Sequence, residues 1–418
     1  MGYNKNLILN DFFITGITLS IDKNLIMDLV KKFGTPLYIT DVDIVKQNYE
    51  NVYKSFKENF GKNFKIYYAM KANFNPFILE TLKELGSGVD AASPYEFLLA
   101  KKVGFRDKEI SFAPPNASRE EIALASENGI GTLIFDSLDM INTAKGIHFD
   151  NYGIRINPGI EAGFNEKVMT GKAYSKFGID ISHIRDAIDK ANEIKIEING
   201  FHAHIGSNIL DYEPYKLLME RFKELSKFLM KKNFIDMGGG FGYDYYNGKH
   251  YDISKISKAI SENFPMEFNE LRLEPGRYLV VNATVLLSKI NGVKEMGNKK
   301  YIQIDAGMNS LIRPALYNAY HRVELINGDS NDEKEVFDVV GPICESDDYI
   351  ALNVRLKRPK IGDYLIIHDV GAYGVSMASN YNLRPIPAEV ILKNGKIIGI
   401  KERDDLDSII NKYKIYNL

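Results

Sequence analysis

From about residue 36 to residue 280, short apolar segments alternate with longer stretches in which apolar residues recur at helical spacing. That alternation predicts a parallel sheet covered by helices, because parallel strands need crossover connections and are buried on both faces. The segments 65–69, 88–91, 110–113, 132–135, 153–156, 200–205, 234–237 and 271–274 read as strands. Between them, 76–85, 95–103, 120–128 and 215–230 carry the i, i+3, i+4 apolar periodicity of amphipathic helices. Eight strand and helix units over that length predict an α/β fold, a TIM (β/α)8 barrel.

Beyond about residue 281 the texture changes. β-branched and aromatic runs at 284–290, 301–305, 336–340, 364–368 and 388–392 are separated by turns, and long helical patterns are scarce. This predicts a C-terminal β-domain of sandwich or barrel type. The segment 7–19 also alternates like a strand and is expected to pair with that sheet. The expected division is a barrel over 36–280 and a β-domain made of 1–35 with 281–418.

The 418 residues exceed one ordinary domain, and 45% hydrophobic with 26% charged residues is the composition of a globular protein with a substantial core. With 53 basic against 55 acidic residues, no argument for nucleic acid or a membrane surface can start from charge. There is no run of about 18 apolar residues, and residues 1–10 lack targeting features, so a cytoplasmic location is expected. The single cysteine, Cys344, excludes an intramolecular disulfide and a cysteine-rich zinc site. Taken alone it reads as a small buried hydrophobe, but Glu345 and Asp347 beside it are polar company for a core residue.

In such a barrel, chemistry sits at the C-terminal strand ends, and the suspicious residues cluster there. Lys71 ends the first strand; a desolvated lysine at that lip is a Schiff-base nucleophile, although one that snorkels to solvent is the plainer reading. Asp90 ends the second strand, Arg155 lies in the fifth, and His202 and His204 lie in the sixth, ahead of Gly206 and Ser207. Gly238-Gly239-Gly240-Phe241-Gly242 follows the seventh. It is no dinucleotide fingerprint, since the third glycine of G-x-G-x-x-G falls at Tyr243, but it suits a phosphate nest.

After the eighth strand comes Glu274-Pro275-Gly276-Arg277. Glu274 could pair with Arg272 or Arg277, or could hold a proton on a ring nitrogen, as the electron sink of pyridoxal phosphate requires. Lysine, phosphate nest and carboxylate together are the parts that cofactor needs. His202-x-His204, two apart on a strand and so on one face, could alternatively bind a metal; its late position in the chain favours ring stacking by one histidine and no metal.

Tyr68-Ala69-Met70-Lys71-Ala72-Asn73, His204-Ile205-Gly206-Ser207, Asp236-Met237-Gly238-Gly239-Gly240 and Glu274-Pro275-Gly276-Arg277 resemble the motifs of the fold-type III pyridoxal-phosphate decarboxylases. The resemblance runs from about 33 to 392. It implies that Lys71 is the Schiff-base lysine, that His204 stacks on the cofactor ring and that Glu274 meets its nitrogen. By the same resemblance Ser207, Gly239, Gly240, Gly276, Arg277 and Tyr373 hold the phosphate.

Within that family, 308–317, Gly341-Pro342-Ile343-Cys344-Glu345-Ser346 and Gly371-Ala372-Tyr373-Gly374 resemble the diaminopimelate decarboxylases. This implies decarboxylation of meso-2,6-diaminopimelate to L-lysine, with Arg277, Arg313, Tyr317 and Tyr373 binding substrate and Glu345 taking its distal ammonium. It also implies a homodimer in which Cys344 reaches the partner's site, where the carbanion is protonated by that cysteine or by Lys71. Tyr278, after the arginine, is more reminiscent of polyamine-forming relatives. Decarboxylation of lysine, ornithine or a carboxylated polyamine is the alternative reading, ahead of a cofactor-binding protein without activity.

Overall fold

The computed structural model describes residues 23–61, 63–160, 162–163, 175–326, 333–411 and 413, so the expected strand at 7–19 lies outside the described residues. These residues form two compact units, one made of 45–244 and 250–279, the other of the described parts of 1–44, 245–249 and 280–418.

In the first unit eight parallel strands close on themselves: Phe64–Ala69, Gly88–Ala91, Ile110–Phe112, Thr132–Phe135, Asn151–Asn157, Gly200–His202, Phe234–Asp236 and Glu270–Leu273. Leu271 pairs with Phe64 and Leu273 with Ile66, which seals the ring. Helices Pro76–Glu84, Pro94–Val103, Arg119–Glu127 and Glu213–Leu225 lie where the apolar periodicity places them. Their starts are capped as short helices require: Asn75, Ser93 and Ser118 each accept a first-turn backbone N–H.

The strand starts at one end of the barrel are closed by packing. The Phe234 ring lies so near strands five and six that a Cβ on Gly200 would approach it to 2.3 Å and one on Gly153 to 3.0 Å, so glycine is required at both places. The Arg272 guanidinium stacks 3.8 Å from the Phe234 centroid and donates to Glu270 (2.7 Å) and to Thr132 (3.0 Å). Lys65 completes the pairing with Glu270 at 3.0 Å. A buried charge held this way satisfies its donors and leaves the opposite, C-terminal rim for chemistry.

The second unit is a nine-stranded, mostly antiparallel sheet. Its spine is Thr284–Met296, which bulges between Ile290 and Gly292 and so pairs with Leu37–Asp41 and Tyr364–Ile367 along its first half and Lys299–Ile304 along its second. Leu37–Asp41 also runs parallel to Ala388–Lys393. The core gathers Tyr38, Leu286, Ile290, Ile302, Phe337, Val339 and Leu365. Leu37–Asp41, Tyr349–Lys357 and Lys396–Lys401 are strands that periodicity did not predict. The first is buried at every position, as several barrel strands are, while the last is exposed or half-exposed throughout.

Candidate active site

The first barrel strand runs from Ala69 straight into a single 3-10 turn, Met70–Ala72, which carries Lys71 past the strand end. Local hydrogen bonds impose the break: Tyr68 Oη donates to the Asn73 carbonyl (2.8 Å), Asn73 Oδ1 accepts from Asn75 N (3.0 Å), and Pro76 opens the next helix. Lys71 Nζ stands 3.4 Å from Asp90 Oδ2, with the lysine side chain 43% exposed and the aspartate's 3%. The expected desolvated lysine is thereby corrected. The turn lifts it to the rim, and its partner there is a buried carboxylate rather than an apolar wall.

Glu274 follows strand eight and is buried. Its backbone N donates to the Gly238 carbonyl at 2.8 Å, and its own carbonyl lies where a Cβ on Gly239 would fall, 2.1 Å away. Neither arginine partner foreseen for it is used, since Arg272 turns to Glu270 and Arg277 Nη2 donates to Ser207 Oγ at 2.9 Å. Instead Glu274 Oε2 meets His202 Nε2 at 3.1 Å, both side chains being almost fully buried.

Glu274 Oε1 has no hydrogen-bond partner among the described residues. Asp236, whose Oδ2 is likewise without one, could meet Glu274 only by sharing a proton. Burial, then the charge of Asp90, pushes the Glu274 carboxyl up to about 8. Burial takes His202 down to about 4 and holds Asp236 well above the usual carboxylate range. His202, Asp236 and Glu274 offer ligand atoms within 4.8 Å of one another.

Strand six ends at His202, so strand alternation does not carry on to His204, although the two imidazoles lie near enough to feel each other's charge. His204 lies in the following loop, where its Nδ1 accepts from Gly239 N at 3.3 Å, fixing the ring proton on Nε2. Burial and the charge of Lys71 keep this imidazole neutral, well below its ordinary range.

The glycine turn is shaped for close approach. Gly238 and Gly240 take φ of +66° and +88°, and Asp236 Oδ1 accepts from Gly238 N at 3.0 Å. Gly276 packs against the lysine turn, where an added Cβ would lie 3.0 Å from that of Ala72. The turns after strands six, seven and eight thus present Ser207, Gly239, Gly240, Gly276 and Arg277 on the same rim as Lys71, His204 and Glu274.

Arg313, Tyr317, Cys344, Glu345 and Tyr373 belong to the second unit. Arg313 is 1% exposed; its Nη1 donates to His321 Nε2 at 2.7 Å, and its guanidinium lies 4.9 Å from the Tyr245 ring centroid. His321 in turn donates from Nδ1 to the His368 carbonyl at 2.9 Å, which settles its tautomer. Buried this deeply, Arg313 is no surface residue. His321 and Tyr245 escaped the sequence reading, having no spacing that ties them to the arginine. Cys344 is exposed, its N donating to Asn382 Oδ1 at 2.8 Å, and Glu345 accepts from the Tyr381 hydroxyl. The buried-hydrophobe reading of the cysteine therefore fails. Tyr373 is held at φ +62° and Tyr317 ends the short helix Arg313–Tyr317.

The barrel rim fits pyridoxal phosphate. It offers an accessible amine, a buried carboxyl oxygen lacking a partner, and a glycine turn beside a guanidinium for a phosphate. Residues 46–281 match the family described as pyridoxal-dependent decarboxylase, pyridoxal binding domain.

The chain is 36% identical over 425 residues to the diaminopimelate decarboxylase of Aquifex aeolicus, covering 98% of this chain and 97% of that one. It is 37% identical to that of Methanocaldococcus jannaschii, covering 92% of each. Among solved structures, the diaminopimelate decarboxylase of Helicobacter pylori complexed with L-lysine superposes with a TM-score of 0.86 at 32% identity over 93% of this chain and 98% of that one. The Methanocaldococcus jannaschii enzyme with L-lysine gives 0.84 at 34%, over 94% of each. On its matched motifs, its barrel and its near full-length identity, the chain belongs to the diaminopimelate decarboxylases, a family of pyridoxal-phosphate-dependent enzymes.

Proposed function

We propose that this enzyme decarboxylates meso-2,6-diaminopimelate to L-lysine and carbon dioxide, in the cytoplasm and as a homodimer. The observation that carries the reading is the placement of Lys71 and Glu274 on one barrel rim, in a chain related along nearly its whole length to diaminopimelate decarboxylases. Bound pyridoxal phosphate supplies the electron sink that makes loss of carbon dioxide from an amino acid accessible.

The chain's own residues do the rest. Lys71 would hold the cofactor through its Nζ and, standing at the rim, would be the amine available to take up or give a proton there. Glu274 would hold the ring nitrogen. A carboxyl raised to about 8 carries a proton at neutral pH and can give it to that nitrogen as the site fills. His204, neutral and oriented by Gly239, covers the ring face. Ser207, Gly239, Gly240, Gly276, Arg277 and Tyr373 hold the phosphate. Arg277, Arg313, Tyr317 and Tyr373 bind the substrate, whose non-reacting carboxylate needs a guanidinium fork, and Glu345 takes its non-reacting ammonium. Cys344 of the second protomer, or Lys71, delivers the α-proton.

The test is carbon dioxide release from meso-diaminopimelate, lysine and ornithine. Diaminopimelate should turn over fastest, and Arg313→Lys should lower its kcat/KM by roughly 10–100-fold, since a fork becomes a point charge. Faster turnover of lysine or ornithine would overturn the substrate assignment.

A further inference from the structure

We infer that His202 is a positioning residue for Glu274: by donating Nε2–H to Oε2 it fixes the carboxyl so that Oε1 is the oxygen left for the cofactor's ring nitrogen. The inference rests on the pyridoxal phosphate reading of the rim and extends it by one residue.

Three observations carry it. His202 Nε2 and Glu274 Oε2 stand 3.1 Å apart with both side chains almost wholly out of water, so neither can turn to solvent for another partner. Glu274 Oε1 is buried and accepts from no N–H or hydroxyl of the described residues; the neighbouring Asp236 carboxyl can bond Glu274 only through a shared proton, so once Glu274 is ionised one oxygen is held by His202 and the other is left for a ligand. The cationic side chains that might have captured the carboxyl are engaged elsewhere: Arg272 with Glu270, Arg155 with Asp136 at 3.4 Å, and Lys71 with Asp90.

An ionised carboxylate only accepts, so the contact then requires the proton on His202 Nε2. A neutral imidazole suits this place better than a cation, which would bind the carboxylate tightly and compete with a protonated ring nitrogen. The groups facing the pair are Asp90, Asp136, Arg155, Asp236, Lys71 and His204, from the ends of strands two, four, five and seven and the loops after one and six. Burial outweighs them all and keeps His202 neutral at pH 7.

The experiment uses the full chain freed of cofactor. Pyridoxal phosphate and its 1-deaza analogue, in which the ring nitrogen is replaced by C–H, are titrated against wild type, His202→Phe and His202→Gln by the visible absorbance of the adduct with Lys71. Wild type should prefer pyridoxal phosphate. His202→Phe should weaken pyridoxal phosphate about tenfold, as loss of a supporting contact does, and the analogue less than about twofold. His202→Gln, which keeps an N–H donor, should recover most of the loss. If His202→Phe does not fold, His202→Asn, polar but too short to reach Oε2, replaces it with the same expected ratio.

Equal weakening of both compounds makes His202 a packing residue and overturns the inference. So does wild type binding both compounds equally, since Glu274 then serves no ring nitrogen. Wild type that binds neither compound overturns the cofactor reading itself, a result distinguishable from both.

Discussion

Lys71 shows how little of a reactive residue's environment its neighbours in sequence disclose. Its position at a strand end was legible, because an apolar run meets Ala72-Asn73 there, but its exposure and its pairing with Asp90 depend on a strand nineteen residues on. Lys71→Ala should abolish the borohydride-reducible absorbance of added pyridoxal phosphate and lower activity roughly a thousandfold or more. An unchanged spectrum would remove Lys71 from the chemistry. Glu274 was legible in the same way, and its histidine was not: the two lie 72 residues apart.

The consequence of the Glu274 environment can be read in pH. Its carboxyl titrates near 8 when folded against an ordinary 4.5, so folding favours the protonated form. That contribution is complete below 4.5 and is lost as pH rises toward 8. His202, lowered from 6.5 to about 4, acts oppositely, contributing above 6.5 and losing its effect as pH falls through 4. In cofactor-free protein, Glu274→Gln should therefore reduce the fall in Tm between pH 4.5 and 8. Asp236, raised in the same sense, leaves some of the slope in place. A variant with the wild-type slope would show that Glu274 does not titrate in this range.

At the scale of elements, the turns rather than the strands carry the site. The glycine turn after strand seven was legible as a nest from composition, whereas its reason for lacking side chains is tertiary: the Glu274 carbonyl lies 2.1 Å from where a Gly239 Cβ would sit. Gly239→Ala should force the turns after strands seven and eight apart, costing about 1–3 kcal/mol in denaturant unfolding, with weaker cofactor binding. Stability within error of wild type would mean that the two turns give way freely. The barrel strands were legible because each is short, apolar and followed by a helical period. Leu37–Asp41 was not, although it too is short, buried and followed by a helix, because its partners, Thr284–Met296 and Ala388–Lys393, lie far along the chain.

At the scale of the molecule, the proposed shared site makes a prediction that no single chain can satisfy. If Cys344 acts in its partner's site, Lys71→Ala and Cys344→Ala are each inactive alone, yet refolding them together creates hybrid dimers with one intact site. Random pairing should restore about a quarter of wild-type activity, measured by carbon dioxide release. No recovery would place Cys344 in its own chain's site or outside the reaction. No helix of the described residues is long and apolar enough to cross a membrane.

Sequence by itself determined the barrel, the sheet-rich second unit and the rim positions of Lys71 and Glu274, because strand and helix periods and burial are properties of adjacent residues. Only the tertiary structure decided which groups meet: His202 with Glu274, Asp90 with Lys71, and His321 with Arg313. Such pairings depend on side-chain directions set by barrel closure and sheet register, and on a buried polar group taking whichever partner the fold brings within reach.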